Sequence, residues 1–379
     1  MRPFSLTRVF AVMVKEFTQL RRDRITYAMI LALPIMQLLL FGYAINTDPR
    51  HLPAAVVSHD HGNLANAVVQ AMEHTAYVDV RYLPRSEAEM DELMRRGKII
   101  VGVTIPPDFT RKVLRGDGAQ ILAEADASDP QSAAGAVAAV SALPESALIH
   151  DLKGPSTRPA APPPFAVVVH RLYNPESISA YNIVPGLLGV ILTMTLVMMT
   201  AMAVTREVER GTMESLLSSP VTPSELMLGK LLPYVLVGAV QTCVVLIAAR
   251  VLFDVPMAHT FAGWLALSVG LVLFIIDNLA LGYLISTVAK SQLQAMQMSV
   301  FVLLPSIFLS GFAFPYYGLP QWARVIGECI PITHFLRIVR GSLLKDQVLG
   351  DMGSDLAALI AIVLVIAGLA LARSRTTLD

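Results

Sequence analysis

Charged residues are scarce in this sequence, and the few inside its apolar part stand where their chemistry would count. Glu207, Glu209 and Glu214 fall in one polar stretch, Thr205–Lys230 (TREVERGTMESLLSSPVTPSELMLGK), between the apolar segments Ile178–Val204 and Leu231–Phe253. Carboxylates held on a short loop accept charge-assisted hydrogen bonds from lysine or arginine of another chain. Leu216 and Leu217 would add an apolar contact beside them. This is chemistry of docking, not of bond making. Asp277 is different. It stands with Asn278 inside LVLFIIDNLALGYLIS, 11 residues before Val288, which is about 16 Å along a helix. That depth is near the middle of a ~30 Å hydrocarbon core. A lone aspartate there costs roughly 2.5–3.5 kcal/mol on insertion scales, so it should face protein or water. Asp277 and Asn278 could line a polar path, or a protonated Asp277 could bond a neighbouring helix; the residues favour neither.

Other chemistry is missing. No phosphate-binding G-x-x-x-x-G-K-[ST] loop occurs: Gly229-Lys230 is followed by leucine. No Ser/His/Asp or Cys/His grouping stands out. His59 and His61 form a lone HDH after a strand-like run, short of the ligand count of a metal site. Cys243 and Cys329 form no disulfide framework. The chain is therefore expected to be no enzyme, with no catalytic, cofactor-binding or metal residues of its own.

The elements that position these residues are membrane helices. The chain of 379 residues is 54% hydrophobic and 15% charged, against ~25% charged in ordinary soluble domains. Its mean hydropathy is +0.59. Spans are expected at 25–45, 178–204, 231–253, 261–288, 295–314 and 355–372, each near the length a bilayer requires. Residues 1–24 carry an apolar stripe (Leu6, Phe10, Met13, Phe17, Leu20) and six basic residues. They predict an interfacial helix on the cytoplasmic side. The span 25–45 is no cleavable signal, because its apolar core is too long. Six spans leave both termini in the cytoplasm, the tail being 373–379. Residues 315–354 read as a broken or re-entrant outer segment of surface helices, with Tyr316, Tyr317 and Trp322 suited to an interface. Arg250 near the end of the third span can snorkel.

Residues 46–177 hold 28 of the 58 formal charges. Strand-like and helix-like runs alternate there, from PAAVVS to PFAVVVHRL, with a proline-rich linker at LKGPSTRPAAPPP. The expectation is an extracytoplasmic α/β domain inserted into a six-helix polytopic membrane protein. Within Thr205–Lys230, Gly211 breaks the apolar pattern, Thr212 can cap a short helix with Glu214 in its first turn, and Pro220 stops it. Thr222, Pro223 and Glu225 form a capping box opening the next helix.

The run EVERGTMESLLSSPV…ELMLGK resembles the signature of ABC-2-type exporter permeases. So do KEFTQLRRDRITYAMILALPIMQLLLFGYAINTD, YNPES…NIVPG and LSGFAFP…LP…IPITHFLRIVRG. The resemblance implies that the loop is a coupling helix contacting an ATPase subunit through Glu207, Glu209, Gly211, Thr212, Glu214, Leu216 and Leu217. It implies ATP and Mg²⁺ on that partner chain, a second permease subunit (homo- or heterodimer), a periplasmic adaptor and membrane lipid as further partners, and no nucleic acid. The setting is a bacterial inner membrane, and the cargo a drug-like, lipid, other hydrophobic or ionic substrate moved outward. Asp277 lies outside the signature. The alternative is a membrane-anchored ligand sensor, disfavoured because no cytoplasmic segment is long enough for an output domain. A secondary transporter would show repeated halves or several intramembrane charges.

Overall fold

The computed structural model describes residues 49–148, 163–209 and 223–373. The expected interfacial helix 1–24, the span 25–45, the linker up to residue 162 and Gly211, Thr212, Glu214, Leu216 and Leu217 lie outside these residues, as does the tail from 374.

The first unit is an α/β domain. It runs β1 (Leu52–Ser58), α1 (Asn63–His74), β2 (Val78–Tyr82), α2 (Glu87–Arg95), β3 (Val101–Ile105), α3 (Phe109–Arg115), β4 (Ala119–Asp126), α4 (Pro130–Ser141), α5 (Leu143–Ser146) and β5 (Phe165–Leu172). The sheet order is β2-β1-β3-β4-β5. Only the β3–β4 pair is antiparallel; the others are parallel. β1, β3 and β4 are the interior strands; β1 and β3 are largely apolar and almost wholly buried, as strands covered on both faces are. At the edge, β5 alternates and leaves Val168 exposed. Local caps follow the sequence. The Ser86 hydroxyl accepts from the Glu89 amide to start α2, and Asp129 does the same for α4 with Pro130 in the first turn. Phe109 meets Phe165 edge-on at 5.4 Å in the core.

The second unit is helical: α6 (Ser179–Glu209), α7 (Pro223–Phe253), α8 (Phe261–Val288), α9 (Gln292–Leu309), a 3₁₀ turn (Tyr316–Gly318), α10 (Gln321–Gly327), α11 (Pro331–Lys345) and α12 (Gly353–Arg373). Among the described residues, α6, α7, α8, α9 and α12 are the five long and apolar enough to cross a membrane. The fifth expected span sits earlier than its hydropathy suggests. Its helix begins at Gln292, where Ser291 caps it, and stops at Leu309. Pro305 inside it leaves no proton for the hydrogen-bond ladder.

α8 is the axis. It is apolar all round, which marks a helix buried on most sides. Gly263, Ala266, Gly270, Ala280 and Gly282 let its neighbours close in. At Gly282 a Cβ would lie 2.7 Å from the Val197 carbonyl oxygen and 2.8 Å from the Thr200 Cβ, so α6 touches α8 backbone to backbone there. On another face Phe274 stacks on Phe335 of α11, centroids 4.1 Å apart.

α11 departs from the expected surface helix. Ile332, Thr333, His334, Phe335, Leu336, Ile338 and Val339 are all buried. Its basic residues take polar partners from within the protein. Arg337 pairs with Glu328 and Asp355, Lys345 with Asp126, and Arg340 donates to Asn182 Oδ1 at 3.0 Å. Hydropathy alone does not register partners so distant in sequence.

Candidate functional site

Three places in the helical unit carry polar chemistry: the α6–α7 end, the centre of α8, and the seam with the α/β domain.

At the α6–α7 end, α6 runs past the expected span as far as Glu209, and α7 begins at Pro223. Glu207 and Glu209 thus lie at the end of the described part of a long helix, and residues 210–222 between α6 and α7 lie outside the described residues. Glu209 accepts from the Gln292 backbone amide at 2.8 Å and from its Nε2 at 2.6 Å. Those two bonds hold the Glu209 carboxyl below its usual range. Arg206 Nε donates to Gln292 Oε1 at 3.3 Å. The end of α6 is therefore fastened to the start of α9 just where the loop departs. Nothing in the sequence marks Gln292, 83 residues away, as the partner of Glu209. This end lies opposite the α/β domain, whose Ser128 carbonyl accepts from Asn182 near the start of α6 at 3.0 Å.

At the centre of α8, Asp277 and Asn278 are both essentially inaccessible. The Asn278 side-chain amide donates to the Phe274 carbonyl at 2.7 Å, a bond within its own helix. Neither carboxyl oxygen of Asp277 finds a hydrogen-bond partner among the described residues. The hydroxyls of buried Thr193 and Thr200 on α6 share that condition. An unpartnered buried polar group costs about 1–3 kcal/mol, more if charged. The partner a structural aspartate would require is absent from the described neighbours. The sequence located the residue; it could not have found the threonines, which look like ordinary span residues.

Beside the seam, His334 is held on both sides. Its Nε2 donates to the Glu328 carbonyl at 2.9 Å and its Nδ1 faces Asp355 Oδ1 at 2.8 Å. A carbonyl can only accept, and a carboxylate also accepts, so an imidazolium satisfies both contacts. Burial lowers the His334 pKa, but the bonds to Asp355 and Glu328 outweigh it and leave it raised. No group of three or more His, Cys, Asp or Glu among the described residues could hold a metal ion.

The comparisons with known proteins agree with this architecture. The model of the ABC-2 family transporter proteins matches residues 24–372. The chain is 30% identical over 380 residues to the probable multidrug ABC transporter permease YbhS of Escherichia coli K12, covering 99% of this chain and 98% of the relative. It is 28% identical to the probable multidrug ABC transporter permease YbhR of the same strain, covering 94% and 95%. It is 25% identical to that strain's inner membrane transport permease YhhJ, covering 98% of both. With nearly the whole length matched by the family model and by relatives of equal extent, this multi-pass membrane protein belongs to the ABC-2 transporter permease family.

Proposed function

We propose that the chain is the membrane subunit of an ATP-driven exporter in a bacterial inner membrane, moving a drug-like, lipid or other hydrophobic substrate outward. A separate ATPase chain, which holds ATP and Mg²⁺, docks on the loop around 205–230. Glu207, Glu209 and Glu214 offer acceptors to its basic groups, and Leu216 and Leu217 an apolar face. Gly211 and Thr212 shape the turn. The loop side is cytoplasmic, the α/β domain lies across the membrane, and a periplasmic adaptor meets it there. Two permease subunits form the pathway, one docking loop for each motor. The drug-like part of this cargo class follows the names of the YbhS and YbhR relatives.

The observation that carries this reading is the anchoring of α6 at Glu209. A docking loop that transmits force needs a fixed root, and the two bonds to Gln292 supply one next to residue 210. The test is co-purification of the ATPase with Glu214→Lys. Losing one charge of a hydrogen-bonded interfacial pair costs about 2–5 kcal/mol, so the variant should insert normally yet release the ATPase and stop transporting. Unchanged assembly together with unchanged transport would refute the docking role.

A further inference from the structure

Seven consecutive residues between α11 and α12, Lys345–Asp351, touch three separate parts of the protein. Lys345 forms an ion pair with Asp126 at the end of β4, and both side chains are buried, 7% and 4% exposed. Its ammonium also sits 5.2 Å over the Tyr173 ring, just beyond β5. Gln347 donates to the Arg95 carbonyl at the end of α2. Asp351, 3% exposed, pairs with Arg95 and lies 3.4 Å from Arg96 Nε. All these partners belong to the α/β domain.

Asp346, between them, faces the other way. It takes the left-handed backbone at φ 51° that closes α11. Its Oδ1 accepts from the His259 amide at 3.1 Å, the Thr260 amide at 3.3 Å and the Thr260 hydroxyl at 3.1 Å. Thr260 is the N-cap of α8, its hydroxyl accepting from the Gly263 amide at 3.0 Å. A carboxylate there also meets the positive end of the helix. The strap thus grips the domain through residues 345, 347 and 351, and the root of α8 through residue 346.

Its fit is close. A Cβ at Gly341 would lie 2.0 Å from Gln347 Oε1, so the strap folds back directly on α11. A buried ion pair is weak evidence for stability, since apolar replacements often do as well. What such a pair fixes better is a single relative placement of two bodies.

We infer that Lys345–Asp351 is a positioning strap that makes the α/β domain and α8 move as one body, so that displacement of the domain is delivered to the helix bearing Asp277. Its contribution to transport rests on the exporter reading above; its mechanical role does not.

The experiment uses full-length protein in lipid nanodiscs. Cys243 and Cys329, both exposed, are first replaced by serine. Spin labels then go on exposed Arg85 of the domain and exposed Phe261 of α8, and pulsed electron resonance gives their distance distribution. The parent should show one narrow distribution. Lys345→Met and Asp346→Ala should each broaden it at least twofold, and Asp126→Lys with Lys345→Asp should narrow it again. Because Lys345→Met leaves Asp126 buried without its partner and threatens folding, the half-exposed Arg95→Gln serves as a milder variant expected to broaden the distribution less. Distributions of parental width in Lys345→Met and Asp346→Ala would overturn the proposal. In the same variants, efflux should fall at least tenfold while ATPase co-purification stays parental. Full efflux despite a broadened distribution would also overturn transmission. An inactive parent with a narrow distribution that broadens in the variants would leave the strap standing and remove the exporter reading instead.

Discussion

Asp277 offers a direct contest between stability and function. On insertion scales aspartate costs roughly 2.5–3.5 kcal/mol at the membrane centre and leucine gains about 0.3–0.6. The swing favours Asp277→Leu by about 3–4 kcal/mol if the residue merely fills space. Its carboxyl oxygens have no hydrogen-bond partner among the described residues to set against that figure. A structural aspartate needs such a partner, and losing a hydrogen bond to a charged group would remove only about 1.5–3 kcal/mol. Asp277→Leu should therefore not lower the unfolding temperature of the purified protein, and should raise it. Asp277→Asn keeps shape and hydrogen-bonding capacity while removing the charge, and should be neutral to mildly stabilising.

If the carboxylate serves the pathway, both variants should insert and bind the ATPase normally yet lose efflux of cationic dyes by at least tenfold in inverted vesicles. A residue kept at a cost in stability is what a transport group would look like. Two results would refute the reasoning. Efflux equal to the parent in Asp277→Asn would remove the charge from the mechanism. A large fall in unfolding temperature in Asp277→Leu would mean that the carboxyl holds the bundle together, by a partner outside the described residues.

Other perturbations read the packing and the charged network. Gly282→Ala gains about 0.5–1 kcal/mol of helix propensity, but its Cβ would intrude on Val197 and Thr200 and overpacking costs about 1–3 kcal/mol. The net effect should be a lower unfolding temperature in a thermal-shift assay. His334 has a folded-state pKa above its ordinary 6.5, so the stability it contributes is full below the unfolded value and is lost as pH rises through the raised one. The groups facing it are Asp355, Glu328 and Arg337, with Tyr316 bonded to Glu328. Raising pH from 6 through 9 should lower the parent's unfolding temperature more than that of His334→Gln; parallel curves would contradict the imidazolium assignment.

How much of this was legible in the sequence depends on the range of the interactions. The strands and helices of the α/β domain follow from runs and caps only a few residues long, such as Ser86 and Asp129. The described part of α7 starts at Pro223, while the expected cap Thr222 lies outside the described residues. The direction of β4 was not legible, because a strand's neighbours are chosen by the whole sheet. Nor was the burial of α11. Arg337, Arg340 and Lys345 read as surface charge until Asp355, Asn182 and Asp126 are brought to them from 18, 158 and 219 residues away. Asp277 was legible because a charge in an apolar run stands out. The unpartnered hydroxyls of Thr193 and Thr200 were not, since these are ordinary span residues that only their burial makes conspicuous.

Two packed helices, α6 and α8, join the two ends of the molecule. The 28 residues of α8 extend about 42 Å at 1.5 Å per residue, more than a ~30 Å core. One end is held by Asp346 through Thr260. Near the other, Gly282 lets α6 press against it, and α6 itself ends at Glu209 beside the loop. α7, by contrast, exposes Leu236, Val240, Val244, Ile247 and Val251 along its length and contributes less to the packed centre. A force applied at residues 210–222 reaches α8 through α6, and the route to the α/β domain through α8 and the strap runs beside the direct contact of Asn182 on α6 with Ser128. Loosening the α6–α8 contact and loosening the strap cut the same line at two points. Once either is broken, breaking the other should cost little more, so Gly282→Ala combined with Asp346→Ala should lower efflux no further than the more severe single variant. Multiplying losses would mean that the two contacts act on separate routes.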